Sequence, residues 1–524
     1  MQIDLVQHAA RPDPFRAQVC IIGAGIAGLT LAHRLAVQGI DVALLEAGGL
    51  TLTDASRSLF TQAHLSGEPH AGTHQGRFRA YGGASLRWGG QLLPMPAKET
   101  AWPIPATTLE PYYGAAENLL AVDDLSYAAQ PFFTAAKIPT PTLLTQLPHI
   151  EPRLSKWASH SHRNIAATVG RELLANPRTT VYLNAQATEL LLHPTRSHIE
   201  AVLVRTLSGQ TFRFEATHFV LAAGTVETSR LLLASRSVAP EGVANQHDQV
   251  GRHFHDHLTV PAATLTNPAR DYLLRELRPW FIGRTQHSLK LEATPTLCNK
   301  LNLNPVLAHI VFTDPDDSAH AIARDLFNAR QRGDLLATFN KHLGRLPAAV
   351  VEIARLVVEA KLHHRRHITA QTTVSLRLNA AQDTPATSRI TLSDDQDAFG
   401  FPQPLVDWRI TANEHTTFRA FATHLRSRLE AIGLWDGMQW NSDLFTPSVP
   451  IHGIEDARHA MGGACMGTNP QTSVTDTNLQ VHGLANLHIA SAATFPTGSP
   501  QLITLPLMAL TLRLADRLAT LLHQ

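Results

Sequence analysis

Cysteine is scarce: 524 residues contain three, Cys20, Cys298 and Cys465, far apart and without a CxxC pair. That argues against a disulfide framework or an iron–sulfur cluster, and it fits a reducing compartment. Long apolar runs are missing as well. None approaches the roughly 20 residues that span a bilayer, and the opening "MQIDLVQHAARPDPFRA" has no basic start followed by an apolar core, as a secretory signal would. An excess of one charge is also absent: 44 Lys plus Arg against 43 Asp plus Glu leave a formal charge of +1. No basic stripe argues for a nucleic-acid partner. The sequence thus predicts a soluble, cytoplasmic chain with no transmembrane segment. Its apolar fraction of 44% is enough for a large core, and its length suggests about three units, or fewer if domains interleave.

What is present begins with "AQVCIIGAGIAGLTLAHRLAVQGIDVALLEAGG". A short buried strand runs into Gly23-x-Gly25-x-x-Gly28, and an apolar helix follows at period 3.6. Gly39 closes the helix, and a second strand ends at Glu46. A strand, a glycine loop, a helix and an acid about 20 residues on make a βαβ nucleotide-binding unit. The glycines permit a tight turn, close approach to a pyrophosphate and close helix packing. The helix N-terminus supplies free N–H groups for the phosphates, and Glu46 can accept hydrogen bonds from a ribose.

Strand patterns return in "TTVYLNAQATELLL" (179–192), in "HIEAVLVRT", and in "FRFEATHFVLAAG", which ends in the small residues Ala222-Ala223-Gly224. Residues 314–367 read as helical and charged, with "LHHRRH" (362–367) as a solvated helix end. The stretches "TAQTTVSLRLN" and "PQPLVDWRIT" suggest a second, antiparallel sheet for the substrate. In "RHFHDH", His253, His255 and His257 alternate, so a strand would put them on one face, where they could bind a metal. A structural role is the preferred reading, and no metal site is expected.

Together with the nucleotide motif, three further stretches resemble the glucose–methanol–choline (GMC) oxidoreductase family. They are "RAYGGASLRWGG" with "WPIPATTLEPYYGAAE"; "VLAAGTVETSRLLLAS" with "QVGRHFHDHL"; and the tail "HAMGGACMGTNPQTSVTDTNLQVHGLANLHIASAATFPTGSPQLITLPLMAL". They run in family order from residue 18 to about 518, and the pattern looks closest to the sugar and polyol branch. The resemblance implies an α/β fold: a Rossmann-type FAD-binding domain (18–125, 180–260 and 455–524) interleaved with an α+β substrate domain (126–179 and 261–454) built on an antiparallel sheet plus helices.

It also implies roles for residues. Gly83 and Ser85 would lie close to the flavin. Some members attach FAD through a histidine just before the tryptophan of this loop; here Arg87 precedes Trp88, so FAD is expected to be non-covalent. Ala185, beside Asn184, resembles the adenine-contacting segment, and Ala223 the segment lining the ADP half. Ser491 and Ala492 replace a frequent Asp-Ala/Gly pair near the pyrophosphate. The final helix tolerates Pro506 in its first turn. Its N-terminus near Thr504 would face the flavin edge that gains negative charge, where a helix dipole stabilises an anion. Cys465 sits where members vary, with nothing nearby to favour a thiolate.

The tail histidine, His459, is implied as the base that removes an alcohol proton as hydride moves to flavin N5; a neutral imidazole suits that role. The family's second His or Asn falls on Leu502; either the loop shifts and its polar neighbour Gln501 serves as partner, or the second group is absent. The reading is therefore a FAD-dependent oxidoreductase acting on an alcohol carbon of a small molecule, such as a sugar, glycoside or polyol. Oxygen or another acceptor would take the electrons. The altered second position motivates an alternative, lyase-like or decarboxylase-like chemistry on the same scaffold.

Overall fold

In the computed structural model all residues are described except 9–12, 61, 96–101, 317, 333–334, 435, 448 and 501. The strand Phe15–Ile22 is buried throughout Val19–Ile22. It lies between parallel neighbours, Val42–Leu45 on one side and Thr211–Leu221 on the other. A strand covered on both faces needs no polar alternation, which is why this segment reads as a plain apolar run. Thr179–Leu183 and then Gln2–Asp4 extend one flank of this eight-stranded sheet. On the other flank Thr211–Leu221 pairs antiparallel with Ile199–Arg205 and, at its carboxyl end, parallel with Leu487–Ile489.

The helix Ile26–Val37 buries Leu29, Leu31 and Leu35 in a core shared with the C-terminal helix Thr504–His523. Gly39, with φ at 82°, follows it, the usual position for a left-handed glycine past a helix end. The parallel register carries the carboxyl ends of four strands to one edge. Gly23, Glu46, Ala222 and Ala490 follow those ends directly.

The segment 179–192 is two strands rather than one. Thr179–Leu183 joins the parallel flank, Asn184 turns through a left-handed φ of 54°, and Gln186–Leu192 departs to pair antiparallel with Ile199–Arg205. Asparagine tolerates that conformation better than most residues, so a continuous strand period hid the corner.

A second, nine-stranded sheet runs Met438–Trp440, His257–Leu265, Thr373–Ala381, Val306–Thr313, Thr285–Ala293, Ile150–Trp157, Gln91–Leu92. One face is apolar: Leu258, Val260, Leu376, Leu378, Leu289, Leu291 and Leu154 form one core with Phe418, Phe421 and Leu425 of the helix Ala412–Ala431. Each such side chain contributes roughly 1.5–3 kcal/mol by burial. Thr411 and Glu414 cap that helix reciprocally. The strand Pro402–Trp408, expected beside Thr373–Ala381, belongs instead to a small third sheet with Arg389–Gln396 and His64–Gly67. Its alternation is satisfied equally well there, since a period of two names a face and not a partner.

The run 362–367 is not a plain solvated helix end. The helix stops at Leu362. Arg365 then bridges to Trp280 and lays its guanidinium over that ring at 4.4 Å, while Arg366 pairs with Asp314 at 3.2 Å.

Candidate active site

The glycine loop is shaped by contacts that a side chain would break. A Cβ at Gly23, whose φ is 108°, would meet Ala222 O at 2.6 Å, and one at Gly28 would meet Gly23 O at 1.9 Å. Gly25 differs: a Cβ there would meet nothing within 4 Å. The loop is tight against protein at its first and third glycines and open at its second, at the N-terminus of Ile26–Val37. Such a space suits a phosphate. Gly83, with φ at 51°, closes on it, since a Cβ there would stand 2.9 Å from Gly25 Cα.

Glu46 is buried, and each carboxylate oxygen already accepts a backbone N–H, from Ala24 at 3.1 Å and from Gly48 at 2.8 Å. A carboxylate has lone pairs to spare for a ribose. Burial pushes its carboxyl upward, and the two N–H donors and the nearby Arg79 pull against that. Arg79 was not singled out in the sequence. Its Nε donates to Ala47 O at 2.8 Å, and its guanidinium lies 4.3 Å over Phe399. Ala185 N donates to the Glu46 backbone oxygen at 2.8 Å, so Ala185 stands beside the acid.

Ala223 caps the helix Gly224–Ala234 at the same sheet edge. Ser491 Oγ accepts the Ala493 N–H at 3.1 Å, and Ala490 N is held by Leu221 O. Ser85 spends its hydroxyl proton on Gly82 O at 2.7 Å. Thr504 begins the C-terminal helix, whose N-cap Ile503 supplies no side-chain acceptor. The first N–H groups there are open to a ligand. Gln501 lies outside the described residues. Arg87 is exposed, and Trp88 donates its Nε1–H to Arg163 O at 2.6 Å. These residues fit a flavin dinucleotide: a phosphate space at Gly25, an acid at Glu46 and a helix N-terminus at Thr504.

His459 is half-buried and held from several sides. Its N–H donates to Asp256 Oδ2 at 2.7 Å. The next carbonyl, Ala460 O, accepts from Thr225 Oγ1 at 2.6 Å, and Met461 exchanges both backbone bonds with His255. Gly462 and Gly463, both left-handed, let the chain press against His253 and Ser229 and run along Ala492–Thr494. His459 Nδ1 meets His257 Nε2 at 2.8 Å, and Nε2 has no partner among the described residues. Burial lowers the imidazole pKa below its ordinary 6.5, with Asp256 and Asp456 offsetting part of the effect.

The histidines of "RHFHDH" do not share a face. His253 has φ at 60° and bonds to Thr384 O; His255 turns its Nδ1 to His253 O; the strand begins only at His257. Asp256, between them, is the hub of the site. Its Oδ1 accepts from the N–H groups of His257 and Ala457, and its Oδ2 accepts from His459 N–H and lies 3.3 Å from His70 Nε2. Ligand atoms of Asp256, His257 and His459 lie within 4.8 Å of one another, as do those of His70, Asp256 and Asp456. Hydrogen bonds already use most of those atoms. Cys465 is buried with its thiol pushed up to about 12, which disfavours a thiolate.

The GMC oxidoreductase family matches this chain twice, over residues 157–259 and 384–511, and an NAD(P)-binding Rossmann-like domain matches over 21–58. The 6'''-hydroxyparomomycin C oxidase of Streptomyces lividus is 25% identical, over 96% of this chain and 91% of its own length. The fructose dehydrogenase large subunit of Gluconobacter japonicus is 24% identical, over 97% and 98%. Among solved structures, pyridoxine 4-oxidase from Mesorbium loti superposes with a TM-score of 0.56 at 15% identity, covering 96% of this chain and 99% of that one. Formate oxidase from Aspergillus oryzae RIB40 gives 0.59 at 16%, covering 98% and 99%. Both structures share the fold. With two matches in chain order, an oxidoreductase scaffold and a Rossmann-like loop at its start, the chain belongs to the GMC oxidoreductase family.

Proposed function

We propose that the chain oxidises an alcohol carbon of a sugar, glycoside or polyol, with non-covalently held FAD as the hydride acceptor. His459 is the base. The observation that carries this reading is the asymmetry of its ring: Nδ1 engaged by His257, Nε2 without a partner among the described residues. If Nδ1–H donates to His257, the lone pair stays on Nε2. A neutral imidazole is what a base requires, and burial favours the neutral form. His257 fixes the tautomer and Asp256 holds the backbone, so the base is positioned before substrate arrives.

The cofactor would lie along the carboxyl edge of the eight-stranded sheet, with Gly23, Gly25 and Gly28 at the pyrophosphate and Glu46 at the ribose. Ala185 and Ala223 would border its ADP half. Gly83, Ser85, Ser491 and Ala492 would line the remainder, and the helix at Thr504 would meet the flavin. Bound there, FAD supplies the two-electron acceptor that the protein side chains cannot. In this reading Gln501 is a second polar group toward the substrate oxygen. Residues 18–125, 180–260 and 455–524 serve the cofactor, and 126–179 and 261–454 serve the substrate.

The test is an anaerobic absorption titration of the flavoprotein with sugars, glycosides, polyols and simple alcohols. Bleaching by one class, lost in His459→Ala with flavin retained, is the expected result. Turnover without bleaching would point to non-redox chemistry, and a His459→Ala variant reduced at the normal rate would remove the base.

A further inference from the structure

The face of the nine-stranded sheet that carries His257 is polar, and it holds a cluster the proposed chemistry does not use. His257 pairs with Ala381, Thr259 with Asn379 and Pro261 with Arg377. On the next strand His309 pairs with Arg377. One strand further, Lys290 Nζ donates to His309 Nδ1 at 2.8 Å, while His309 Nε2 meets Asn379 Oδ1 at 3.2 Å. Directly paired residues share a face, so Lys290, His309 and Arg377 stand side by side on the face of His257. Their row is displaced roughly 13 Å along the strands from it, at about 3.3 Å per residue, and Arg377, His309 and Lys290 lie one, two and three strands across at about 4.8 Å each.

Among the described residues neither side chain has an acidic partner: Lys290 is 5% exposed, and its ammonium meets His309 rather than a carboxylate. The Arg377 guanidinium makes no hydrogen bond or ion pair among the described residues, and its Nε is buried. Glu292, the acid two residues from Lys290 on its strand, pairs instead with Arg153 at 3.3 Å. Burial brings the Lys290 ammonium down to about 7, and burial in the first place, with Lys290 and Arg377 adding to it, keeps His309 neutral. Lys290 is buried and Arg377 half-buried, and a buried ammonium without a counter-charge is costly unless something pairs with it. An alternating strand that served only packing would carry apolar or neutral residues here.

We propose that Lys290 and Arg377, aligned by His309 and Asn379, bind an anionic group, a carboxylate or a phosphate, on the substrate at a position remote from the oxidised carbon. The proposal rests on the alcohol-oxidation reading and narrows its substrate class to acidic sugars or glycosides. Arginine and lysine are the usual partners of such groups, because charge-assisted hydrogen bonds are strong.

The experiment is calorimetric binding to the oxidised flavoprotein under anaerobic conditions, carried out on the parent and on His459→Ala. Glucose is compared with glucuronate and glucose 6-phosphate, and lactose with lactobionate. The acidic members should bind roughly 10- to 100-fold more tightly than their neutral counterparts. Lys290→Gln and Arg377→Gln, each with flavin retained, should erase the difference. Tighter binding of glucose 6-phosphate than of glucuronate identifies a phosphate, and the reverse a carboxylate. Equal affinity of acidic and neutral sugars overturns the proposal, as does a preference that survives both substitutions. If the acids bind preferentially but none bleaches the flavin, the anion site stands and the alcohol-oxidation reading falls.

Discussion

His459 offers one ring nitrogen to His257 and keeps the other without a partner among the described residues, and this difference dictates how its variants behave. His459→Ala removes a general base and should slow flavin reduction by roughly 10²- to 10⁴-fold. Flavin content should not change, because the backbone contacts to Asp256 and Thr225 do not need the ring. Since burial lowers this imidazole below 6.5, the neutral base persists into mild acid. The reduction rate should therefore rise with pH through a pKa under 6.5 and then level off. Stopped-flow reduction from pH 5 to 8 measures this, and an inflection above 7 would contradict the assignment.

At the scale of one element, the glycine loop separates folding from binding. Gly28→Ala drives a methyl into Gly23 O, so it should cost both stability and flavin. Gly25→Ala meets no protein atom within 4 Å, and the Gly25 backbone, with φ at −79°, is one any residue adopts. That variant should melt as the parent apoprotein does, within about 0.5 kcal/mol, yet hold flavin more weakly. Thermal melts and flavin titrations of both variants give the comparison. Unchanged flavin affinity in Gly25→Ala would move the pyrophosphate elsewhere.

Across the whole molecule, a buried ion pair ties the two large sheets' regions together. Lys156, on a strand of the nine-stranded sheet, sits 1% exposed with Nζ 2.6 Å from Glu117 Oε1. Glu117 lies on the helix Glu110–Leu119, which packs with the glycine-loop core. Tyr127 donates its hydroxyl to the same carboxylate. Lys156→Met strands the acid and should destabilise by about 3–5 kcal/mol, readable in urea unfolding. Buried neutral histidines set the acid limit of the fold. His255 is held to about 4 by burial and regains an ordinary value near 6.5 on unfolding. Between those values the unfolded chain binds more protons, so stability falls as pH drops from 6.5 toward 4, by about 3 kcal/mol for this residue alone. His488, held to about 3, acts in the same direction. Melting temperatures that stay level between pH 7 and 4.5 would refute this.

The amino-acid order alone determined what local contacts decide. The Gly23–Gly28 loop, its helix, the strand ending at Glu46 and the first-turn proline of the last helix are written in neighbouring residues, because turn geometry and periodicity act over a few positions. His459 was singled out differently, by its place in a tail that resembles the GMC family, since one histidine among 29 carries no local signal of its own. Tertiary structure decided the rest. Asp256 became the hub only when three backbone N–H groups, two of them some 200 residues away, converged on it. The break at Asn184, the separate sheet of Pro402–Trp408 and the row Lys290–His309–Arg377 all depend on which strand lies next to which. A strand period reports that a face exists. It does not report the neighbour, because hydrogen-bonding edges are alike in every strand and partners are chosen by the packing of the whole chain.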